Sequence, residues 1–412
     1  MIKISPKKVV LISSGQPSLN PRLVKEADTL YRNKYDVTVI YQYWNEWATK
    51  YDEELLSKKG WKAIKVGGDP RTNLPSYYFS RLNFKIGYLF ARIFGFRLGI
   101  PEMAIGRCTG LLYKEAIRHN AHLYIAHNLA ALPCAVKAAK NKHSKCGFDA
   151  EDFHRNEISN DPDNFNVRLN TFLEKKYLPQ LDYLTTSSPL INARYKADLS
   201  ILFPVVILNT FPKTNRIIPS IQDKNSPLKL FWFSQTIGPN RGIEEIIKAL
   251  QKFKAGKVEL HLLGNFDESI IDHFTQKNSM LKKIINFYKP IKPDQIFDFA
   301  SQFDVGMATE IGYPYNRDIC LTNKIFTYIQ SGLALIASDT QAQRLFLEQH
   351  PNVGLRYSKN NADELYYTIK YYHDNRDILK KVKAHNFEFG QNELNWETES
   401  LKFTKLIESV LH

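Results

Sequence analysis

The chain has 412 residues, of which 43% are hydrophobic and 13% aromatic, and its formal net charge is +14. This length is enough for two ordinary domains, and the apolar content excludes a chain that is disordered throughout. The four scattered cysteines form no C-x-x-C pair, which argues against a cysteine zinc site or a disulfide framework, and neither a signal peptide nor a membrane span is predicted.

The first half of the chain alternates between strand and helix patterns. An apolar strand at residues 8–13 leads into a polar turn, a helix at 22–32 and a second strand at 36–41. Further strands are predicted at residues 123–126, 145–150, 183–187 and 205–209, with a helix at 169–181. The strand–helix–strand order predicts a parallel sheet of Rossmann type.

A second pattern of the same kind follows residues 210–227, which are rich in Pro, Asn, Ser and Lys and are typical of a connection between domains. Strands are predicted at residues 228–233, 258–263, 283–287, 305–309 and 333–337, with helices at 243–253 and 396–411. We therefore predict an α/β protein with two Rossmann-like, doubly wound parallel-sheet domains, residues 1–209 and 210–395. The last helix, residues 396–412, is expected to return to the first domain.

Residues 318–339 carry the strongest local signal. Asn323 is suited to cap a helix, Gly332 stands where a helix stop belongs, and an apolar strand follows. The helix start carries Lys324, next to backbone N–H groups and a helix dipole that already favour anions. This combination predicts a phosphate or diphosphate ligand, although helix–glycine–strand units are also common in ordinary α/β domains.

This segment resembles the donor-binding motif of family 4 glycosyltransferases of the GT-B fold. Weaker similarities occur in the expected order along the chain, at Asn20-Pro21-Arg22, Ala126-His127-Asn128, residues 148–152, residues 206–211, Arg241-Gly242 and Asn395-Trp396-Glu397. The resemblance implies two domains that face a cleft. It also implies transfer of a sugar from a nucleotide-sugar such as a UDP- or GDP-sugar, with retention at the anomeric carbon. The resemblance therefore implies a glycosyltransferase that acts on a glycan or lipid-linked acceptor in cell-surface polysaccharide synthesis.

The donor site that the resemblance implies lies in the second domain. Arg241, Lys324 and the backbone near Gly238 and Asn323 are expected to grip the diphosphate, since its developing charge needs cations or N–H donors. Glu310, after a predicted strand, is expected near the sugar or ribose hydroxyls. The alternative for the two cations and the carboxylate is an ordinary solvated role.

The chain departs from the family pattern at two places. Thr327 stands where a second glutamate is usual, and Thr236 stands where a basic residue is common. A polar loop at residues 312–322 also separates Glu310 from the helix, and its Asn316 and Arg317 are possible substitutes for the missing groups.

The acceptor side is predicted in the first domain. Glu151, Asp152 and His154 follow a strand, where a carboxylate or imidazole can orient or deprotonate a hydroxyl. The alternative is that they cap the next helix. His127 also ends a strand and is either a ligand of the donor sugar or a satisfied core residue. Gly15, in the first strand–helix turn, permits close approach of a ligand to the backbone.

No bound metal is expected. Many glycosyltransferases hold a metal ion with an Asp-x-Asp triplet, and this chain has one at Asp161–Asp163. The surrounding sequence SNDPDNFN is typical of a turn instead. We therefore predict that protein groups carry the diphosphate charge and that the nucleotide-sugar is a co-substrate, with no bound cofactor.

Positive charge and aromatic residues concentrate in residues 71–100. From Arg71 to Lys145 the chain has twelve basic residues but only two acidic ones, Glu102 and Glu115. Cations interleaved with aromatic rings suit an anionic membrane surface, and they also suit two helices that pack their rings inward. Single-stranded nucleic acid is a third, less favoured partner. We predict a cytoplasmic enzyme with possible peripheral contact at the inner face of the membrane, and no nucleic acid partner.

Two other function classes remain open from the sequence. A non-catalytic protein with two lobes would bind a sugar or nucleotide without turnover. A nucleic-acid-binding protein would use the positive charge. The sequence does not determine the base, the sugar, the acceptor or the linkage.

Overall fold

The computed structural model describes residues 5–199, 204–214, 226–275 and 278–412. The chain divides into two compact units. The first comprises Met1–Leu208, Pro314–Asn316 and Ser400–His412, and the second comprises Asn209–Tyr313 and Arg317–Glu399. Most of the predicted connection, residues 215–225, lies outside the described residues. Within the described ranges, no helix is both long and apolar enough to cross a bilayer.

The first unit is built on a parallel sheet. Its strands lie in the order β3-β2-β1-β4-β5-β6-β7. They are β1 (Lys8–Ser13), β2 (Asp36–Gln42), β3 (Lys62–Val66), β4 (Leu123–His127), β5 (Lys145–Ala150), β6 (Tyr183–Thr186) and β7 (Val205–Val206). Strand β1 pairs in parallel with both β2 and β4, so the chain leaves β1 towards one edge of the sheet and returns at β4 to continue towards the other.

The second unit repeats this arrangement. Its strands lie in the order β10-β9-β8-β11-β12-β13. They are β8 (Leu228–Thr236), β9 (Val258–Asn265), β10 (Ile285–Tyr288), β11 (Val305–Ala308), β12 (Ala334–Ser338) and β13 (Gly354–Tyr357). All strand pairs are parallel. Central strands such as β11 and β12 are buried along their whole length, as expected for a parallel sheet covered by helices on both faces.

Helices connect the strands of both units, and the last three helices of the described chain follow β13. Those before β8 are α1 (Pro21–Arg32), α2 (Glu46–Leu56), α3 (Leu74–Phe94), α4 (Ile100–Ala104), α5 (Thr109–Ala116), α6 (Leu132–Lys142), α7 (Phe165–Tyr177) and α8 (Pro189–Asp198). Those after β8 are α9 (Ile243–Leu250), α10 (Glu268–Thr275), α11 (Ser279–Ile284), α12 (Ile296–Ala300), α13 (Tyr315–Ile319), α14 (Asn323–Gln330), α15 (Gln341–Gln349), α16 (Ala362–Asp374), α17 (Arg376–Asn392) and α18 (Trp396–Leu411). The predicted doubly wound α/β fold is confirmed.

Helix α14 ends as its sequence predicts but begins one residue earlier than expected. Gly332 has a φ of 70°, and the N–H groups of Gly332 and Leu333 donate to the carbonyls of Ile329 and Tyr328, which closes the helix. The prediction of Asn323 as the N-cap is wrong: Thr322 holds that position and Asn323 is the first helical residue. Both residue types favour N-cap positions, so the local sequence was ambiguous by one residue.

Other boundaries also differ from the prediction. The strand expected at residues 283–287 begins at Ile285, because residues 279–284 form α11. The helix expected at 169–181 spans Phe165–Tyr177, and the strand expected at 205–209 is confined to Val205–Val206. Strands β3 and β13 were not predicted. Both lie at sheet edges, where β3 is largely exposed and β13 is mostly half-buried, and neither carries the apolar run that marks a buried strand.

Candidate functional site

The second unit has a topological switch point between β8 and β11. The chain leaves β8 towards β9 on one side, and it leaves β11 towards β12 on the other. The loops that follow β8 and β11 therefore run in opposite directions from the carboxyl ends of these strands. The crevice between such loops is where open α/β sheets bind ligands. The predicted donor residues Gly238, Arg241 and Glu310 all lie in these two loops.

The loop after β8 is fixed against the end of β11 by a glycine. Gly242 has a φ of 78°, and a Cβ atom there would lie 2.0 Å from the carbonyl oxygen of Thr309. The close contact places the preceding Arg241, whose Nη1 donates to Ser234 Oγ at 2.8 Å. At Gly238, by contrast, no heavy atom of the described residues lies within 4 Å of a Cβ position, so the backbone there is open to a ligand.

Glu310 and Lys324 form an ion pair at the end of β11. Lys324 is the second residue of α14, and its Nζ lies 2.5 Å from Glu310 Oε1. Burial alone would raise the pKa of Glu310, but Lys324 and the more distant Arg317 lower it below its ordinary value. Glu310 is therefore ionised at neutral pH, and it holds the Lys324 ammonium in place at the helix start.

Arg317 adds a third cation beside this pair. The pKa of Arg241 is lowered, mainly by burial and also by the positive charge of Arg317, so the two guanidinium groups repel each other. We call Arg241, Glu310, Arg317 and Lys324 the cation cluster. Three cations and one carboxylate leave a local charge of 3 − 1 = +2. Within the described residues, Arg317 forms no ion pair of its own, so the cluster suits an anion such as a diphosphate.

The two possible substitutes in the 312–322 loop have different surroundings. Arg317 lies with the cation cluster, whereas Asn316 belongs to the first unit and is engaged there. Asn323 Oδ1 accepts a hydrogen bond from Asn209 at 2.8 Å. Thr327, one turn after Lys324 on α14, is 1% exposed.

The first unit has its own switch point, between β1 and β4. Ser13 Oγ lies 3.2 Å from Asn128 Oδ1 and accepts a hydrogen bond from the Gly15 N–H at 3.1 Å. A Cβ atom at Gly15 would make only ordinary contacts, with its nearest neighbour at 3.8 Å. The fold therefore does not require glycine at this position.

His127 ends β4 inside a network of buried charges. Its Nε2 lies 3.1 Å from Glu26 Oε2, and its Nδ1 lies 3.1 Å from Glu151 Oε1. Burial alone would lower the pKa of His127, but these carboxylates and Asp149 raise it to about 10. The imidazole is therefore protonated at neutral pH, so it can donate hydrogen bonds but cannot act as a base.

Arg22 holds the other side of this network. Its Nη2 donates to Asp149 Oδ1 at 2.8 Å, its Nε donates to the second Asp149 oxygen, and its Nη1 donates to the Ile207 carbonyl. Both Arg22 and Asp149 are fully buried. We call Arg22, Glu26, His127, Asp149 and Glu151 the ion network.

Within the described residues, the ion network contains the one group of side chains whose spacing could suit a metal ion. One ligand atom each from Glu26, His127 and Asp149 lies within 4.8 Å of the others. The guanidinium of Arg22 already covers both Asp149 oxygens, and Thr185 also donates to one of them. A cation placed there would be repelled by Arg22, so these residues do not fit a metal ion. Asp161 is engaged in a turn, where its Oδ1 accepts from the Asp163 N–H at 2.9 Å.

Asp152 and His154 lie in the segment after β5. Asp152 Oδ1 accepts a hydrogen bond from Asn316 Nδ2 at 2.8 Å, and Asn316 Oδ1 accepts one from the Phe153 N–H at 2.7 Å. Burial and the nearby Glu157 raise the pKa of Asp152 to about 6. This carboxylate therefore titrates near neutral pH, which suits a general base.

His154 differs from Asp152 in its protonation. Its Nδ1 lies 3.1 Å from Glu157 Oε2. Burial alone would lower the pKa of His154, but the Glu157 carboxylate raises it to about 9. The ring is thus cationic at neutral pH. Of Asp152 and His154, Asp152 is therefore the better base.

Sequence reasoning missed the ion network as a unit. Arg22 and Glu26 stand four residues apart on the buried face of α1, and Asp149 lies inside the buried strand β5. Ionised side chains are almost never fully buried unless they are paired. A charged residue within an apolar strand was therefore the available signal, but nothing in the sequence identified its partners.

No protein-family model matches the chain, and no curated protein sequence is significantly similar to it. Solved structures are similar over nearly the whole chain. The structure of Anabaena HepE in complex with UDP matches with a TM-score of 0.67 and 14% identity, covering 98% of this chain and 100% of HepE. A glycosyltransferase from Rickettsia africae matches with a TM-score of 0.66 and 15% identity, covering 98% of this chain and 99% of that one.

Sucrose-phosphate synthase from Thermosynechococcus elongatus matches with a TM-score of 0.69 and 12% identity, covering 98% of this chain and 99% of that chain. The chain has the GT-B fold. A putative UDP-N-acetylglucosamine 2-epimerase from Listeria monocytogenes is also similar, with a TM-score of 0.58, 11% identity and coverage of 98% and 96%. The GT-B fold therefore does not decide the reaction, which has to be argued from the site.

Proposed function

We propose that this protein is a glycosyltransferase that moves a sugar from a nucleoside-diphosphate donor to a hydroxyl group of a glycan or lipid-linked acceptor. The observation that carries the proposal is the cation cluster, with its local charge of +2 at the switch point of the second sheet. HepE, which has the same fold, was solved with UDP and with UDP-glucose, so a uridine nucleotide-sugar is the first donor to test.

In this proposal the second unit stabilises the leaving group. The bond between the anomeric carbon and the diphosphate breaks, and negative charge grows on the departing oxygen. Lys324, Arg241 and Arg317 neutralise that charge without a metal ion. Glu310 orients Lys324 through their ion pair and accepts hydrogen bonds from donor hydroxyls. The open backbone at Gly238 and the start of α14, at Asn323, add N–H donors, and Thr327 lies along the same helix.

The first unit then holds the acceptor. Asp152 accepts the proton of the attacking hydroxyl, since its pKa of about 6 leaves it ionised but still basic at neutral pH. The protonated His154 serves as a hydrogen-bond donor, and Gly15 borders the same end of the sheet. Both ring nitrogens of His127 already face Glu26 and Glu151, so His127 acts only through these carboxylates. We infer retention at the anomeric carbon, in which the acceptor oxygen bonds to that carbon on the face that the diphosphate leaves, while its proton passes to Asp152. We also infer a UDP- or GDP-sugar as donor and a place in cell-surface polysaccharide synthesis in the cytoplasm.

The test is release of nucleoside diphosphate from a panel of UDP- and GDP-sugars, with a cell-envelope extract as acceptor. Lys324→Ala and Arg241→Ala should each lower turnover by at least about 10²-fold, the usual effect of losing one charge-stabilising donor. Lys248→Ala removes an exposed cation from α9, and its turnover should equal that of wild type. Unchanged turnover in folded Lys324→Ala and Arg241→Ala would contradict the proposal.

The fold similarity to a putative 2-epimerase makes epimerisation the second candidate. An epimerase needs no acceptor, because the product is a stereoisomer of the donor sugar itself. Proton NMR of UDP-N-acetylglucosamine incubated with the enzyme alone distinguishes the two activities. A new sugar stereoisomer without acceptor would favour the epimerase, whereas turnover that depends on the extract would favour the transferase.

A further inference from the structure

Helix α3 buries small side chains and exposes large apolar ones, which is the reverse of an ordinary surface helix. Its buried positions are Ser80, Gly87 and Ala91, and a Cβ atom at Gly87 would lie 2.6 Å from the Cβ of Met103 in α4. Its solvent face instead carries large apolar side chains, all at least 39% exposed: Tyr78, Phe79, Leu82, Ile86, Leu89, Phe90, Ile93 and Phe94. A helix of a water-soluble surface normally shows the reverse pattern.

These side chains form one continuous stripe. Their spacing of three, four and seven residues places them on one side of a helix with 3.6 residues per turn. Ten of the nineteen exposed large hydrophobic side chains of the described chain lie within residues 74–98. We call this stripe the α3 face. An exposed apolar patch of this kind marks an interaction surface.

Positive charge borders the α3 face. Helical spacing places Lys85 and Arg92 along one edge of the stripe, and Arg97 follows the helix end. No Asp or Glu occurs from residue 70 to residue 101. An acidic protein or lipid surface would complement this charge, whereas a second copy of the same face would bring like charges together.

Two exposed tryptophans lie near the start of α3. Trp44 and Trp47 are 47% and 51% exposed. Their segment touches the helix start, because the rings of Tyr43 and Tyr77 lie 5.9 Å apart and Glu46 pairs with Arg71. Tryptophan is enriched at the boundary between lipid and water, so this neighbouring loop shares the chemistry of the α3 face.

We propose that the α3 face docks on an anionic lipid surface, with the helix lying in the plane of the interface. The apolar side chains enter the boundary between headgroups and acyl chains, and Lys85, Arg92 and Arg97 meet the anionic headgroups. The aliphatic residues at the middle of the stripe, Leu82, Ile86 and Leu89, favour lipid over nucleic acid, since they offer no ring on which a base can stack. This proposal does not depend on the proposed activity.

The test is co-sedimentation of the full-length protein with vesicles of phosphatidylcholine and phosphatidylglycerol, compared with phosphatidylcholine alone. Wild type should pellet with the anionic vesicles at low salt and less at high salt. The double variant Leu82→Ser/Phe90→Ser should bind at least about tenfold more weakly, because two apolar side chains no longer enter the bilayer. Lys85→Glu should weaken binding by roughly tenfold through charge alone.

A matched control removes two exposed apolar side chains that lie outside the α3 face. Tyr367 and Leu401 are 67% and 63% exposed, so Tyr367→Ser/Leu401→Ser should bind vesicles as wild type does. Analytical ultracentrifugation of the same proteins tests self-association. Absence of pelleting at low salt, equal binding by the Leu82→Ser/Phe90→Ser variant, or a dimer that this variant abolishes without any vesicle binding would overturn the proposal.

Discussion

The ion network of the first unit and the cation cluster of the second unit occupy the same place in their sheets but differ in charge balance. Each lies at the carboxyl ends of strands beside a topological switch point. In the ion network, Arg22 and His127 are fully buried and each lies against carboxylates. In the cation cluster, three cations share the single carboxylate of Glu310.

We interpret the ion network as a group of charges that holds the fold, and we propose that the cation cluster binds an anionic ligand. Burying a charge is costly unless a partner compensates it, and the ion network has its partners within the chain. The cation cluster lacks them, and Arg241 and Arg317 remain partly exposed. We therefore expect substitutions in the ion network to affect stability, and substitutions in the cation cluster to affect the reaction.

The largest expected effect is the loss of Arg22. Arg22→Met leaves Asp149 buried without its bidentate partner, and removal of one member of a buried ion pair typically costs about 3–5 kcal/mol of unfolding free energy. Urea denaturation followed by circular dichroism measures the change. Lys58→Met removes an exposed ion pair with Glu54 and should cost no more than about 1 kcal/mol. Equal midpoints for the two variants would show that the ion network does not hold the fold.

Arg317→Ala tests whether the cation cluster serves the reaction and not the fold. Turnover of the nucleotide-sugar should fall by about 10²-fold, which corresponds to about 2.7 kcal/mol of transition-state stabilisation. Stability without ligand should change little, because the substitution removes both the repulsion of Arg317 from Arg241 and its attraction to Glu310. Nucleoside-diphosphate release measures the first part and thermal unfolding without ligand measures the second, with the exposed Arg344→Ala as control. A destabilised Arg317→Ala protein with normal turnover would place Arg317 in the fold and not in the site.

Gly242→Ala tests whether the loop after β8 must pack on the end of β11. Alanine at a φ of 78° costs roughly 1–2 kcal/mol, and its Cβ would also press on the Thr309 carbonyl. The unfolding midpoint should fall and turnover should fall with it, since Arg241 is displaced. Gly238→Ala, in the same loop, has open space for the methyl group and should be as stable as wild type. If both variants are equally stable, the contact with Thr309 does not position Arg241.

The sequence was sufficient for the central strands of both sheets and for the last helix. Strands β1 and β5 and helix α18 have the predicted boundaries, because buried parallel strands are continuous apolar runs and α18 has a clear helical period. Edge strands β3 and β13 were missed because their exposed and half-buried positions carry no continuous apolar run.

The sequence also located part of the candidate site. Arg241 and Glu310 could be expected near each other, because loops after neighbouring parallel strands lie at one edge of the sheet. The path of residues 312–322 could not be predicted, since no periodicity governs a loop. It places Arg317 with Glu310 in the second unit and Asn316 against Asp152 in the first, although the two residues are adjacent.

The smallest expected effect concerns Asp152, which would link the first unit to the reaction. If Asp152 is the base, the rate should be constant above its pKa of about 6, since the carboxylate is then ionised. The rate should fall about tenfold at one pH unit below that pKa, as the protonated form accumulates. Asn316 Nδ2 donates to Asp152 and favours its charged form, so Asn316→Ala should raise the pKa and move the profile to higher pH. Asp163→Asn changes an exposed carboxylate in a turn and should leave the profile unchanged. A midpoint near the ordinary aspartate value of about 4, or an Asn316→Ala profile equal to that of wild type, would remove Asp152 from the proton transfer and leave the acid–base chemistry to the second unit.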